Sequence, residues 1–210
     1  MRFSPRQSED ALEVSERAGG HYGATTASVV QHDGLTPNMR IELLTSRTGN
    51  DALGDLIDLL QDAVDSGASV GFLPPLSRDA ASDYWRSIFA DLDAGLRLLL
   101  GAMDGSRLVG SVQLELARKP NASHRAEVQR LLVLRSVRRQ GIAEALMHHL
   151  HELARQHRRT LLVLDTREGD PSELLYQKLG YIRAGVIPGY ARSKDGALDA
   201  SAFYYLVVPG

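Results

Sequence analysis

The stretch Val133-Leu134-Arg135-Ser136-Val137-Arg138-Arg139-Gln140-Gly141-Ile142-Ala143 holds the residues most able to do chemistry. An apolar strand runs through a basic turn into an amphipathic helix. Free N–H groups at a helix start, the positive end of its dipole, and Arg138 and Arg139 together suit a pyrophosphate, and Gly141 lets the backbone come close. Neither the Gly-x-x-x-x-Gly-Lys-Ser/Thr loop nor the Gly-x-Gly-x-x-Gly dinucleotide turn occurs in the chain. Two carboxylates flank this cradle in sequence. Alternation sets Glu127 and Gln129 on one face of a strand and Val128 and Arg130 on the other, and Asp165 ends the apolar run Leu161-Leu162-Val163-Leu164. The carboxyl end of a parallel strand is where open α/β sheets bind ligands.

Several elements must position these groups. A first strand is expected over Met39 to Leu44, then a helix capped by Asn50 and stopped by Gly67, with Leu53, Leu56, Ile57 and Leu60 on one face. Ser77 caps a second helix carrying Tyr84, Trp85 and Ile88. Leu96 to Met103 and Leu108 to Leu116 form a hairpin, with a slightly long turn at Asp104-Gly105-Ser106. Ala126 to Leu134 is the next strand, and the helix from Gly141 to about His157 crosses over to a parallel strand, Leu161 to Asp165. Asp170-Pro171-Ser172-Glu173 starts a short helix that bears Tyr176 and stops at Gly180. A strand at Tyr181 to Ala184, a loop through Pro188-Gly189-Tyr190 and Asp195-Gly196, and a last strand from Ala202 to Val208 close the chain. The pattern is α/β, with one domain over 39–210. Residues 1–38 lack a sustained apolar period and read as a mobile tail, and Met39 is itself a candidate start.

Composition narrows the function. The 24 basic and 26 acidic residues give a net charge of −2, which argues against a general nucleic-acid binder. No apolar run approaches the roughly 18 residues of a membrane span, and the amino-terminal segment lacks a signal-peptide block. A cytoplasmic protein without membrane attachment is expected. The absence of cysteine removes disulfides, thiolate metal sites and a cysteine acyl-enzyme. His148 and Glu152 share the i, i+4 spacing of a metal pair but lack the His-Glu-x-x-His pattern, so solvated helix surface and no metal are expected.

Arg138-x-x-Gly141-x-Ala143 resembles the acyl-coenzyme A signature of the GCN5-related N-acetyltransferases (GNAT), and the strand ending in Asp165-Thr166 and the helix closing in Leu179-Gly180-Tyr181 follow in the family's order. Arg135 stands where many members have proline. The resemblance implies a GNAT fold: a mixed sheet of about six to seven strands with a splayed parallel pair, flanked by about four helices. It implies acetyl-CoA as cosubstrate, bound by Leu132, Val133, Leu134, Arg138, Arg139, Gln140, Gly141, Ile142 and Ala143, with pantetheine lying along the splayed edge. A backbone N–H near Val133 would polarise the thioester carbonyl.

An amine of pKa about 10.4 is protonated at pH 7, and freeing it costs roughly 1.36 kcal/mol per pH unit, so a positioned base is needed. Glu127 is the candidate base, Asp165 its partner or the anion that binds the amine, and Tyr176 the acid that protonates the leaving thiolate. Gly67 to Phe72, Lys119-Pro120-Asn121, Arg125 to Gln129, Leu164-Asp165-Thr166 and Pro188-Gly189-Tyr190 resemble the toxin-resistance enzymes of the family, which implies a small-molecule amine as acceptor. The loops Phe72 to Leu76 and Pro188 to Asp195, with Tyr190 and Arg192, are expected to select it and to suit a carboxylate. A protein or peptide N-acetyltransferase and a non-catalytic acyl-CoA sensor remain as alternatives, and many relatives pair into homodimers through their carboxyl-terminal strands.

Overall fold

The computed structural model describes residues 38–209, so the expected tail lies, apart from Asn38, outside the described residues. The chain runs β1 (Met39–Leu44), α1 (Ser46–Asp51), α2 (Leu53–Asp65), α3 (Arg78–Asp93), β2 (Arg97–Asp104), β3 (Arg107–Leu116), β4 (Arg125–Val133), α4 (Ile142–Gln156), β5 (Leu161–Arg167), α5 (Ser172–Lys178), β6 (Ile182–Arg192) and β7 (Leu198–Val207). One seven-stranded sheet has the order β1-β2-β3-β4-β5-β7-β6, and only β4 and β5 run parallel.

Three sequence expectations change. Asn50 does not cap a helix. Thr45 does so instead, in a reciprocal capping box with Thr48, and this starts the separate short helix α1 that breaks at Ala52 before α2. The β2–β3 turn is tighter than expected, because Asp104 already pairs with Arg107 around Gly105-Ser106. The segment expected to be a short strand and a long loop is one bulged arm: β6 pairs with β7 from Ile182↔Tyr205 to Arg192↔Leu198, and the register skips at Ile187/Ala191, around Pro188, which has no N–H to give the ladder.

The two sheet faces carry different helices. Gly110 turns toward α4, where an added Cβ would meet Ile142 and Leu146 at 3.3 Å, whereas Gln113, on the other face, bonds to Tyr84 of α3. The core joins both layers. Trp85 is fully buried with its indole N–H donating to the Leu56 carbonyl at 2.8 Å, which ties α3 to α2. Leu146, Met147 and Leu150 of α4 are buried beneath the sheet.

Gly110 allows β4 and α4 to approach at the point where the cradle leaves the sheet. A Cβ there would sit 3.0 Å from the Leu132 carbonyl oxygen, which is backbone and cannot swing away. Gly110→Ala is expected to lower unfolding free energy by about 1–3 kcal/mol, the usual cost of overpacking. Urea denaturation checks this, and an unchanged midpoint would show that the strands can part without penalty.

Candidate active site

The parallel pair separates where the site begins. Pairing of β4 with β5 covers Arg125↔Leu161, Ala126↔Leu162 and Glu127↔Val163 and then stops, although β4 continues to Val133 and β5 to Arg167. A bulge causes this. Gln129 pairs with Gln113 and Leu132 with Ser111, so Arg130 and Leu131 together oppose Val112, and Arg130, at a left-handed φ of 47°, does not take the face opposite Glu127 that alternation gave it but turns onto the Tyr84 ring of α3. Beyond the bulge, Leu134 N–H donates to Val109 O at 3.0 Å, so Val133, its neighbour in the alternation, turns its N–H and C=O away from β3 into the gap. The Arg138 Nε–H donates to that carbonyl at 3.1 Å. Of the three strand residues expected to line the cofactor, Val133 alone turns its main chain to the gap. Leu132 and Leu134 are buried and paired to β3.

The cradle follows at once. A 3-10 turn at Arg135–Val137 is pinned to α2 by Asp62, which accepts Arg135 N–H at 2.9 Å and Nε–H at 2.7 Å. This is the use the chain makes of an arginine in place of proline. Arg139 and Gly141 are both left-handed, at φ 66° and 79°, and wrap the backbone around Gln140. No side chain caps α4, and the first helical donation is Ala145 N–H to Gly141 O at 3.0 Å. The N–H groups of Ile142, Ala143 and Glu144 therefore have no helical acceptor, and Arg138 and Arg139 are exposed beside them. Free donors at a dipole's positive end flanked by two guanidinium groups fit a pyrophosphate.

The carboxylates and the phenol sit on opposite faces of the gap. Glu127 pairs across to Glu115 and to Val163, which places Glu127, Val163 and Asp165 on the α3 face. Glu127 is exposed, with its Oε1 accepting from Gln129 Nε2 at 2.9 Å. Solvent also reaches Asp165, yet partial burial of its site pushes its carboxyl above the usual range, and a bond from Ser201 opposes this. Tyr176 lies on the α4 side, buried, with its ring 6.2 Å from Tyr204 and 5.8 Å from Tyr181. Burial first, then the charges of Asp170 and Asp165, push its phenol well up, with Ser172 pulling the other way. It is a phenol that keeps its proton.

The sequence model of the acetyltransferase (GNAT) family matches residues 63–181, more than half of the chain, a span that runs from the end of α2 through α5 and includes the β4–β5 pair and the cradle. The chain belongs to this family. Solved structures share the fold: an N-acetyltransferase from Staphylococcus aureus Mu50 (TM-score 0.69, 19% identity, 82% of this chain and 99% of that one) and yncA from Salmonella typhimurium, solved with its cofactor acetyl-CoA (TM-score 0.68, 16% identity, 82% and 94%). A ribosomal-protein-alanine N-acetyltransferase from Brucella melitensis is similar at TM-score 0.68 and 20% identity, over 80% of this chain and 98% of that one. The expected GNAT fold is therefore present, with seven strands, the splayed pair and five helices, four of them of seven or more residues. The chain is an acyltransferase of a family that uses acetyl-CoA. Among the described residues no helix is long and apolar enough to cross a membrane, and no cluster of His, Cys, Asp and Glu could hold a metal.

The GNAT site has a polar floor that sequence reasoning missed. Arg97, buried in β2, donates from Nη1 to Gln129 Oε1 at 2.7 Å and to Gln113 Oε1 at 3.0 Å, and from Nη2 to Glu115 Oε2 at 2.6 Å. The Gln129 amide nitrogen in turn donates to both Glu115 and Glu127, at 3.0 and 2.9 Å. Period-2 alternation placed Gln129 beside Glu127, but a guanidinium reaching across two strands leaves no spacing to read. On the α4 side, His151 Nε2 meets the Tyr181 hydroxyl at 3.0 Å. Burial, aided by His148 and Arg155, lowers its pKa to about 4. Between pH 6.5 and 4 the unfolded chain then binds a proton that the folded chain refuses, so stability falls as pH falls. The slope is expected to reach at most about 1.4 kcal/mol per pH unit, less where solvent screens the partly exposed ring. Urea unfolding of wild type and His151→Gln at pH 7 and 5 isolates it: the wild type should lose more stability than the variant, and equal losses would remove His151 as the cause.

Proposed function

We propose that this acetyltransferase moves an acetyl group from acetyl-CoA to the amine of a small molecule by direct attack, without an acyl-enzyme. The observation that carries the reading is the placement of carboxylates on one face of the β4–β5 gap and a proton-bearing phenol on the other. When bound, acetyl-CoA supplies the activated thioester. The N–H groups of Ile142, Ala143 and Glu144, with Arg138, Arg139, Gln140 and Gly141, hold its pyrophosphate, and the Val133 N–H donates to the thioester oxygen as charge develops there.

Glu127 takes the proton of the incoming ammonium, directly or through water. Gln129 fixes the carboxylate's position, and Asp165, a stronger base than an ordinary aspartate, shares the load or binds the amine. Tyr176 gives its proton to the departing sulfur from the α4 side. A small acceptor is supported by the cleft of ≈ 240 Å³ closed between the Gly67–Pro74 loop and the β6–β7 arm. The sequence resemblance to tabtoxin-resistance acetyltransferases supports a detoxifying role, and the exposed Ile182, Ile187, Leu198 and Val207 of the β6–β7 arm support the pairing of two copies.

The test is CoA-thiol release from acetyl-CoA with β-lactam amino acids, amino acids, polyamines, aminoglycosides and short peptides as acceptors. Glu127→Gln and Tyr176→Phe should each lower kcat by about 10²–10⁴ with little change in acetyl-CoA affinity. Wild-type rates in both variants would refute these roles. Turnover of peptides alone would favour a protein acetyltransferase, and tight acetyl-CoA binding without turnover would favour a sensor.

A further inference from the structure

Beyond Asp165 the open face of the sheet ends in the cleft that supports a small acceptor, and the charged residues that line it take no part in the steps above. Its walls are the end of α2, the loop from Gly67 to Pro74, Arg167 of β5, and Ala191–Lys194 at the end of the β6–β7 arm, and its volume is ≈ 240 Å³. Arg167 lies two residues after Asp165 in one strand, so both side chains leave the sheet on the same side. The pyrophosphate cradle opens at the start of α4, on the opposite face, so this cleft belongs to the acceptor's side.

Its charge is unbalanced. Arg167, Arg192 and Lys194 line it, and no Asp or Glu does. Arg167 is held in place by Asp199, 2.8 Å from its Nε, and by Nη2 donating to Gly67 O at 2.7 Å. Arg192 donates to Gly196 O at 2.9 Å, a neutral acceptor. The Lys194 stem lies across the cleft toward Gly67, its Cδ and Cε 3.6 Å from where a Cβ on that glycine would sit. Among the described residues its ammonium has no carboxylate partner, and the neighbouring Asp195 is turned into its own loop, accepting from Ser193 and Ala197 at 2.6 and 3.2 Å. Tyr190, expected to select the acceptor, instead packs edge-on against Phe203, with ring centres 5.2 Å apart. A half-enclosed site lined by three cations and no carboxylate, in which Asp199 pairs with Arg167 and Asp195 acts on Lys194 only from the adjoining loop, favours an anion, and guanidinium and ammonium donors bond carboxylates strongly.

We infer that the acceptor is an amine that also carries a carboxylate, bound by Arg192 and Lys194 with Arg167 behind them, while its amine reaches Asp165 and Glu127. The inference rests on the acetyltransferase reading and names its substrate class. Asp165 and Arg167 stand two residues apart on one face of β5, with Thr166 between them, so an acceptor that reaches from one toward the other spans roughly 7 Å between amine and carboxylate. That span suits the side-chain amine of a diamino acid rather than an α-amine next to its own carboxylate.

The experiment compares L-2,4-diaminobutyrate, L-ornithine and L-lysine with their decarboxylated counterparts 1,3-diaminopropane, 1,4-diaminobutane and 1,5-diaminopentane, by CoA release and by calorimetric titration. At least one acid should exceed its diamine in kcat/KM by about ten- to a hundredfold, the worth of a charge-assisted contact. The double variant Arg192→Gln, Lys194→Met should collapse that ratio toward one through KM. Diamines turned over as well as the acids would overturn the inference and leave the acetyltransferase reading standing. If no amine of any kind is acetylated, that reading fails, and calorimetry then decides the cleft: an acid that binds wild type and not the double variant supports it, and no binding of any of the three acids overturns it.

Discussion

The site depends on one break in hydrogen bonding. Parallel strands keep every main-chain group paired, yet here β4 and β5 part after Glu127↔Val163 and leave the edge of β4 open inside the sheet. The bulge at Arg130 and Leu131 makes the parting possible, and it has a cost: a left-handed residue other than glycine is disfavoured by roughly 1–2 kcal/mol. The guanidinium of Arg130 lies 4.4 Å from the centre of the Tyr84 ring and 5.8 Å from that of Phe72, contacts of about 0.5–2 kcal/mol in partly desolvated surroundings. The two terms are comparable. The side chain that adopts the strained conformation therefore also supplies much of what offsets it, which explains why an arginine can stand there. A pantetheine arm running along the open edge would offer its two amides to the lost backbone pairing.

Charge placement follows from the same break. Glu115 and Glu127 face each other across β3 and β4, and like charges directly opposite destabilise a sheet. Arg97 neutralises Glu115 from a buried position, and the Gln129 amide bridges the two carboxylates. Glu115 is half exposed, so solvent screens this pair, and the floor is held instead by the shared hydrogen bonds of buried Arg97 to Gln113, Gln129 and Glu115, with Glu127 at its exposed end. Asp62 does the matching work for the cradle by tethering Arg135 to α2, which joins the acceptor-side helices to the loop that holds the phosphates.

What the sequence made legible was whatever burial had patterned. The strands from Met39 to Leu134, the crossover helix and the Asp170-Pro171 helix start could be read because each has a continuous or periodic apolar run, as in β2 and β3 buried on both faces, or a capping residue with its partner at fixed spacing. In the last case Asp170 Oδ1 accepts from Ser172 N–H at 2.9 Å, as the pattern implied. The β6 arm could not be read, since nearly every residue of it is exposed and no alternation survives. Thr45 was passed over because its capping partner is Thr48 rather than the usual Glu or Gln. At the site, Gly141, Arg138 and Glu127 are local signals. Arg97, Asp62 and Lys194 act through contacts from distant strands and loops, and only the fold supplies those.

The two faces of the gap explain why direct transfer suits this architecture. A nucleophile arriving on the α3 face meets carboxylates, one of them raised by its surroundings and so better able to hold a proton. On the other face Tyr176 is buried, and burial and its acidic neighbours keep its phenol protonated, so in the proposed mechanism it would hold the proton a departing thiolate needs. In the proposed mechanism the proton would enter on one side of the sheet and be delivered from the other, so that base and acid would not share one hydrogen. A covalent acyl-enzyme would need a nucleophile inside the gap. The chain contains no cysteine, and the group that faces the gap at Val133 is a backbone N–H, which can donate to an oxyanion but cannot attack a carbonyl.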